Sequence, residues 1–391
     1  MLYNDGIRDN AAAIQEMLDG CGIVMIDKPG DYLISKTLVI HSNTRFVLAP
    51  GARLLAVPMS RCALIDNEHI RGDGKDKNIE IIGGIWDGNC DNQGYDAVEM
   101  ATHRCDEPYT VDGFRGKLMR FAHVDNLCLE KLTVKDPCSY GIQIGASNGF
   151  VVRDILFDYN FNFGTTDGVH INGGCFNGVI ENLTGATNDD MVSLTPIDEC
   201  HAEITVGDIA NIEIRNVTGS NCYSGIRLLS GGGYTCKNIR INGVYGDYRH
   251  DAVLLGTHSL RPGTTNFFDD IVIEHVHARK TIKPLGEEHF TMWEGKGNAI
   301  KTMPVVWFGQ DAVIGRLTLR DISRHEEANT TAPLVFFGPK VKVARLVAEN
   351  IHQTAEEGIN CPSWICEAQV DELITRDVMI TEPDGIARPY Y

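Results

Sequence analysis

The chain has 391 residues, 43% of them hydrophobic and 23% charged, with 40 glycines and a formal net charge of −18. This balance belongs to a globular protein, and its acidity argues against a nucleic-acid partner, whose phosphates need a basic surface. No apolar run approaches the roughly 20 residues of a membrane-spanning helix, so no membrane partner is expected. No leader-like run follows Met1, and the twelve cysteines are scattered without a Cys-x-x-Cys pair or metal-ligand spacing. These features predict a cytoplasmic protein with reduced thiols and no metal or other cofactor.

In chain order, residues 5–18 (DGIRDNAAAIQEML) predict a short helix capped by Asp9 or Asn10, with Ile14, Met17 and Leu18 on one face. No strand is expected before it. Strands are predicted over 22–27, KPGDYLI, TLVI and 42–57, divided by Pro-Gly and Asn turns. A unit then recurs: a polar or Asn turn, then alternating β-branched residues, then another Asn, Asp or Gly. Copies begin at Lys77, Asp125, Asn148, Asn177, Asn211, Asn238 and Asp270, with weaker ones at 313–322, 341–351 and 370–380. About ten copies at such intervals predict a solenoid with loops inserted between coils. An antiparallel sandwich would instead turn through tight hairpins every 8–12 residues or so.

The expected fold is therefore all-β: one right-handed parallel β-helix of about ten coils, spanning 1–391, with an N-terminal capping helix at about 5–20. Coils at about 117–260 are expected to carry the chemistry, and C-terminal coils to run to about 385. Insertions at 88–117, 196–208, 260–268 and 280–304 would wall a groove on one face. Trp86, Tyr95, Tyr109, Trp293 and Trp307 offer flat surfaces for sugar rings, although any single aromatic is ordinarily a packing residue.

Residues 164–194 hold the densest pattern, with Asp167 before one apolar run and Asp189 and Asp190 before the next. Asp167 and Asp189 are 22 residues apart, about one coil. Stacked coils would bring three carboxylates together at a strand spacing of about 4.8 Å. A lone Asp at a strand end is usually a turn residue. Three in register cost repulsion and hold at least one proton beyond the ordinary range, a common mark of a reactive site.

These residues resemble a known pattern. Thr165-Thr166-Asp167-Gly168 and Asn188-Asp189-Asp190-Met191 are similar to the N-T-D-G and G-D-D turns of glycoside hydrolase family 28, the polygalacturonase-like enzymes. The stretches 117–121 and 126–144 resemble that family's preceding coil, and residues 5–18 its N-terminal cap. The likeness spans roughly residues 5–280. It implies the pectin-lyase-like β-helix and an inverting glycosidase on a pectin-like oligosaccharide, with Asp189 as general acid and Asp167 and Asp190 holding the attacking water.

Two family motifs are missing. In the G-H-G-x-S-I-G coil, Ser224 stands for the histidine and Arg227 for the serine. The R-I-K coil reads Val253-Leu254-Leu255-Gly256, which has no cation for a uronate. Polygalacturonate itself is therefore not the expected substrate; a short oligosaccharide, neutral or with a single acidic group, is. His170, Ser224, Arg227, His258 and Trp293 are the candidate substrate-binding residues, with Arg227 the expected partner of an acidic group. Two alternatives stay open: a polysaccharide lyase using Arg227 as base, often with Ca²⁺ on the acids, and a non-catalytic carbohydrate-binding β-helix.

Overall fold

A computed structural model describes residues 1–102, 116–197, 203–256, 267–283, 285–286, 289–290, 298–309, 311–381 and 387–389. Its strands wind into a right-handed parallel β-helix. One face is an eleven-stranded parallel sheet that takes one short strand from each coil, from Leu38–Ile40 to Trp364–Cys366. The longer strands form the remaining faces. Ile209–Cys222, Thr235–Tyr248, Phe267–Lys280 and Val313–Glu326 each run 14 residues and pair in parallel with the next. Among the described residues only Ala387–Pro389 pairs antiparallel, against Gln369–Thr381.

Alternation fixes what lies inside. Ile142, Val169, Val192, Ile226, Val253, Val306 and Val335 stack in register from coil to coil, all buried. Two residues on, Ile144, Ile171, Leu194, Leu228, Leu255, Phe308 and Phe337 form a second stack, ending in rings 4.3 Å apart. Each such side chain contributes roughly 1.5–3 kcal/mol by leaving water.

The turn residues that mark the repeat have a structural reason. Asn177, Asn211 and Asn238 take φ of 57°, 61° and 53°, a left-handed conformation that Asn tolerates better than most residues. Their amides form a ladder: Asn238 donates to Asn211 (2.7 Å), Asn211 to Asn177 (3.0 Å), and Asn177 to Asn148 (2.8 Å). Asn211→Ala is expected to cost about 1–2 kcal/mol, chiefly through the left-handed backbone. Asn211→Gly keeps that backbone and should cost less; urea unfolding midpoints of the two variants check the order.

The N-terminus differs from expectation. Asp5–Asp9 is a strand, parallel to Gly30–Ile34, and precedes the helix Ala11–Asp19. With one apolar residue in DGIRD, it has no alternation to announce it. The Asp9 carboxylate accepts the Ala11 N–H at 3.1 Å, while the Asn10 side chain turns back to the Tyr3 and Arg8 carbonyls. Ala11, Ile14 and Leu18 are buried, with Met17 packed at the margin. Among the described residues no helix is long and apolar enough to cross a membrane.

Candidate active site

Val169–Asn172 and Asp190–Thr195 are neighbouring strands of the eleven-stranded sheet, with Val169 opposite Val192 and Ile171 opposite Leu194. Extending that register back two residues sets Asp167 opposite Asp190, 23 residues on, and leaves Asp189 one position earlier. The Asp190 N–H donates to Asp167 Oδ1 at 3.2 Å, and the Gly168 N–H to the Asp190 carbonyl at 2.8 Å. Carboxylate oxygens of Asp167, Asp189 and Asp190 all lie within 4.8 Å of one another. The three expected acids do converge, though Asp190 rather than Asp189 is in register with Asp167.

Each acid is held from a different side. His170 Nδ1 is 2.5 Å from Asp167 Oδ2, and its ring stacks on Tyr140 at 4.0 Å. Arg227 Nε lies 3.1 Å from Asp190 Oδ1, and its Nη1 3.7 Å from Asp189 Oδ1. Asn188 fixes the turn itself. Its amide donates to the Phe163 carbonyl at 2.9 Å and the Phe290 carbonyl at 3.0 Å, while its oxygen accepts from Arg249. Asp189 keeps 9% of its surface, against 2% for Asp167 and Asp190, so Asp189 is the member with an outward aspect.

Burial is the largest influence on Asp190 and pushes it well above the ordinary carboxylate range; Arg227 opposes this, and Asp189 and Asp167 add to it. Burial works against the charge on Arg227, but Asp190, Asp189 and Asp251 outweigh it, so the guanidinium stays ionised. Three carboxylates around one cation therefore retain a proton that an isolated Asp would have lost.

The next coils bring Ser224 together with two groups not anticipated from sequence, His250 and Asp251. Ser224 lies opposite Asp190, and its hydroxyl donates to Asp251 Oδ1 at 3.0 Å. His250 Nδ1 is 2.6 Å from Asp251 Oδ2. The His250 ring stacks on Tyr223 at 4.9 Å and tilts against Trp307 at 6.1 Å. Burial of His250 lowers its pKa despite Asp251, so the ring is neutral. Burial alone would raise Asp251; the bond from His250, with Arg227 and Ser224, brings it below the usual range. Nδ1–H then donates to Asp251 and Nε2 is left as an acceptor.

This pairing has a stability consequence. The folded pKa of His250 is below its unfolded value of about 6.5, so the unfolded chain binds more protons as pH falls through that window. His250 should therefore make the fold less stable on the acid side of about pH 6.5 and be neutral to it above. The fall in urea midpoint from about pH 8 to about pH 5 should be smaller in His250→Asn than in the wild type.

The remaining candidates from sequence fall in different places. Ser224, expected to bind substrate, has no exposed surface, and its hydroxyl donates to Asp251. Trp86 is fully buried, edge-on to Phe46 at 6.0 Å, and belongs to the core. Tyr95 lies half-buried beneath Arg61, 4.6 Å from its guanidinium. Arg227, the expected partner of an acidic group, faces two carboxylates of the protein itself, Asp190 and Asp189. His170 is at the site, bound to Asp167. His258, Trp293 and Tyr109 lie outside the described residues.

The molecule is thus a parallel β-helix with a buried acid cluster on one sheet face. No family model matches the chain, and no curated protein matches it in sequence. Solved structures share its fold. The Thermotoga maritima exopolygalacturonase superposes with a TM-score of 0.56 at 15% identity, over 96% of this chain and 90% of its own. The Erwinia carotovora polygalacturonase gives 0.57 at 13%, over 93% and 94%. PfbA, a surface adhesin of Streptococcus pneumoniae, gives 0.54 at 14%, over 99% and 96%. The scaffold therefore serves both pectin-degrading hydrolases and an adhesin, and the function is decided by the site.

Proposed function

We propose that the protein is a glycoside hydrolase that cleaves a pectin-like oligosaccharide with Asp167, Asp189 and Asp190. The observation that carries this reading is the convergence of the three carboxylates within 4.8 Å, beside one guanidinium. Burial favours the retained proton on Asp190, whereas the family resemblance gives the acid role to Asp189. We give delivery of the proton to the leaving oxygen to Asp189, the more exposed of the two. Asp167, oriented by His170, deprotonates the water, which Asp190 helps to hold.

The oxygens are closer than the roughly 6.5–9.5 Å that separates a simple inverting pair. Inversion here needs the water beside the cluster, bridged by Asp167 and Asp190, rather than between one acid and one base. Tyr223, His250 and Trp307 form the adjoining sugar surface, with His250 Nε2 accepting from a hydroxyl. This chemistry suits a neutral ring at that position, as does Leu254 in the outer row between Arg227 and Trp307.

One observation favours a second reading, a carbohydrate-binding β-helix without turnover: Asp167 and Asp190 are each only 2% exposed. The lyase alternative is weakened by Arg227, whose charge is fixed by two carboxylates and which is too basic to serve readily as a base. A panel of pectic, hemicellulosic and glycan oligosaccharides tests all three. New reducing ends without an unsaturated uronate support hydrolysis. Unsaturated product would establish the lyase, and saturable binding without either product would establish the adhesin-like reading.

A further inference from the structure

Followed along the axis, the outward row of the eleven-stranded sheet changes chemistry at the acid cluster. From Asp66 to Arg227 the row is polar: Asp66, Arg120, Gln143, His170, Ser193 and Arg227 lie opposite one another in turn. Asp66 and Arg120 are paired at 2.8 Å, and Gln143, His170 and Ser193 are buried. After Arg227 the register continues through Leu254, Trp307, Phe336 and Ile365, each apolar or aromatic. Leu254 is buried, whereas Trp307, Phe336 and Ile365 are partly exposed. The open part of this row is therefore its apolar part.

A strand spacing of about 4.8 Å puts Trp307 about 10 Å from Arg227 along the axis and Ile365 about 19 Å away. The nearest rung, Leu254, lies at the level of the sugar surface formed by Tyr223, His250 and Trp307. The Trp307 indole is laid across Gly309, where a Cβ would stand 2.5 Å from its Nε1. Gly338 stands in the same way beside Phe336, 3.7 Å from its Cε1 to a Cβ built there. Glycine at both positions leaves the ring edges without a neighbouring side chain on their own strands. A sugar hydroxyl set against Phe336 and Ile365 would give up its bonds to water and find no partner on either side chain. A planar aromatic group has no such loss, and it stacks offset or edge-on against the rings of Trp307 and Phe336.

We infer that this row binds a planar aromatic group carried by the sugar on the C-terminal side of the scissile bond. The substrate is then an aryl-substituted saccharide, with that sugar at His250 and Leu254 and the aromatic ring at Trp307, Phe336 and Ile365. The inference rests on the hydrolase reading for the place of the scissile bond, and the affinity for an aromatic group stands on the row alone. Continuity selects this occupant. The apolar row begins one strand spacing from Arg227 and runs on in the same register, so a ligand lying along it meets the cluster at Asp189, the member with an outward aspect. Phe336 and Ile365 touch the aromatic group and not the reacting atoms, so they govern which substrate is held.

The test is ligand-observed NMR titration of the intact protein with both anomers of phenyl galactopyranoside, with methyl and cyclohexyl galactopyranosides as controls. Phe336→Ser, Phe336→Tyr, Ile365→Ser and Asp189→Asn are compared after their thermal midpoints are checked. The phenyl glycoside should bind at least about tenfold more tightly than the methyl one and several-fold more tightly than the cyclohexyl one, with saturation transferred chiefly to its ring protons. Phe336→Ser should remove about tenfold of that preference and Ile365→Ser about threefold, while Phe336→Tyr and Asp189→Asn keep it. No saturable binding of the phenyl glycoside, equal binding of the methyl glycoside, or a preference indifferent to both serine variants would overturn the inference. Equal binding of the cyclohexyl glycoside would overturn it by marking a general apolar surface. Equal weakening of the methyl glycoside in Phe336→Ser would do so by making the row a further sugar position. Turnover of oligosaccharides with no aryl preference would sink this inference and leave the hydrolase reading intact. A Phe336-dependent aryl preference with no turnover on any saccharide would sink the hydrolase reading and leave the aromatic site standing.

Discussion

Asp189→Asn is expected to remove about 10²–10⁴-fold of turnover, the usual contribution of a positioned general acid, while leaving a folded protein. Asparagine has nearly the same shape but cannot deliver the proton. The Asp189 carbonyl, which takes the Thr187 hydroxyl at 2.8 Å, is untouched. The fold should tolerate the change because Arg227 keeps its closer partner, Asp190 at 3.1 Å, and one like charge leaves the cluster. Asp190→Asn should lose comparable activity but also lose stability. It strips a buried guanidinium of its nearest carboxylate, and breaking such a pair costs about 3–5 kcal/mol. Turnover and urea midpoints of the two variants, measured together, separate a catalytic loss from a structural one. Near-full turnover in Asp189→Asn would remove Asp189 from the mechanism.

Arg227→Gln carries the second large effect, again about 3–5 kcal/mol of stability, because Asp190 would then be left buried beside two other acids with no cation. Its sharper signature is in pH. A guanidinium favours the ionised form of its neighbours, so its removal raises the pKa of the cluster further. The activity limb set by losing the retained proton should therefore move to higher pH in the variant. The limb set by ionising the water-holding carboxylates should move the same way, which depresses activity at low pH. A pH profile displaced to lower pH would show that Arg227 does not govern this cluster. Guanidinium in the assay medium should not restore the wild-type limb, since Arg227 is only 9% exposed.

Much of the fold was legible in the chain because the coil repeat is written in local chemistry. Asn177, Asn211 and Asn238 mark left-handed corners, and the alternation after each marks the buried stack. Asp167, Asp189 and Asp190 were legible for the same reason: no insertion separates their two coils. The rest depended on contacts whose sequence spacing is set by loops. Trp307 sits opposite Leu254 across a long insertion, and Arg249 reaches back to Asn188. No local pattern reports either. His250 was invisible because the family resemblance directed attention to position 224 and to 253–256, whereas the histidine enters just before the latter strand. The Asp66–Arg120 pair joins coils divided by the 88–117 insertion, so neither residue pointed to the other. The strand Asp5–Asp9 lacked alternation altogether.

The central claim is that the acid cluster hydrolyses a glycosidic bond, and proton NMR of a reacting oligosaccharide in D₂O tests it most directly. Wild-type protein should release a new reducing end, first seen as the anomer inverted from the linkage and then equilibrating, with no vinylic uronate signal. Asp189→Asn should release none over the same period. A vinylic product, or an unchanged substrate across the whole panel with wild-type protein, would contradict the account.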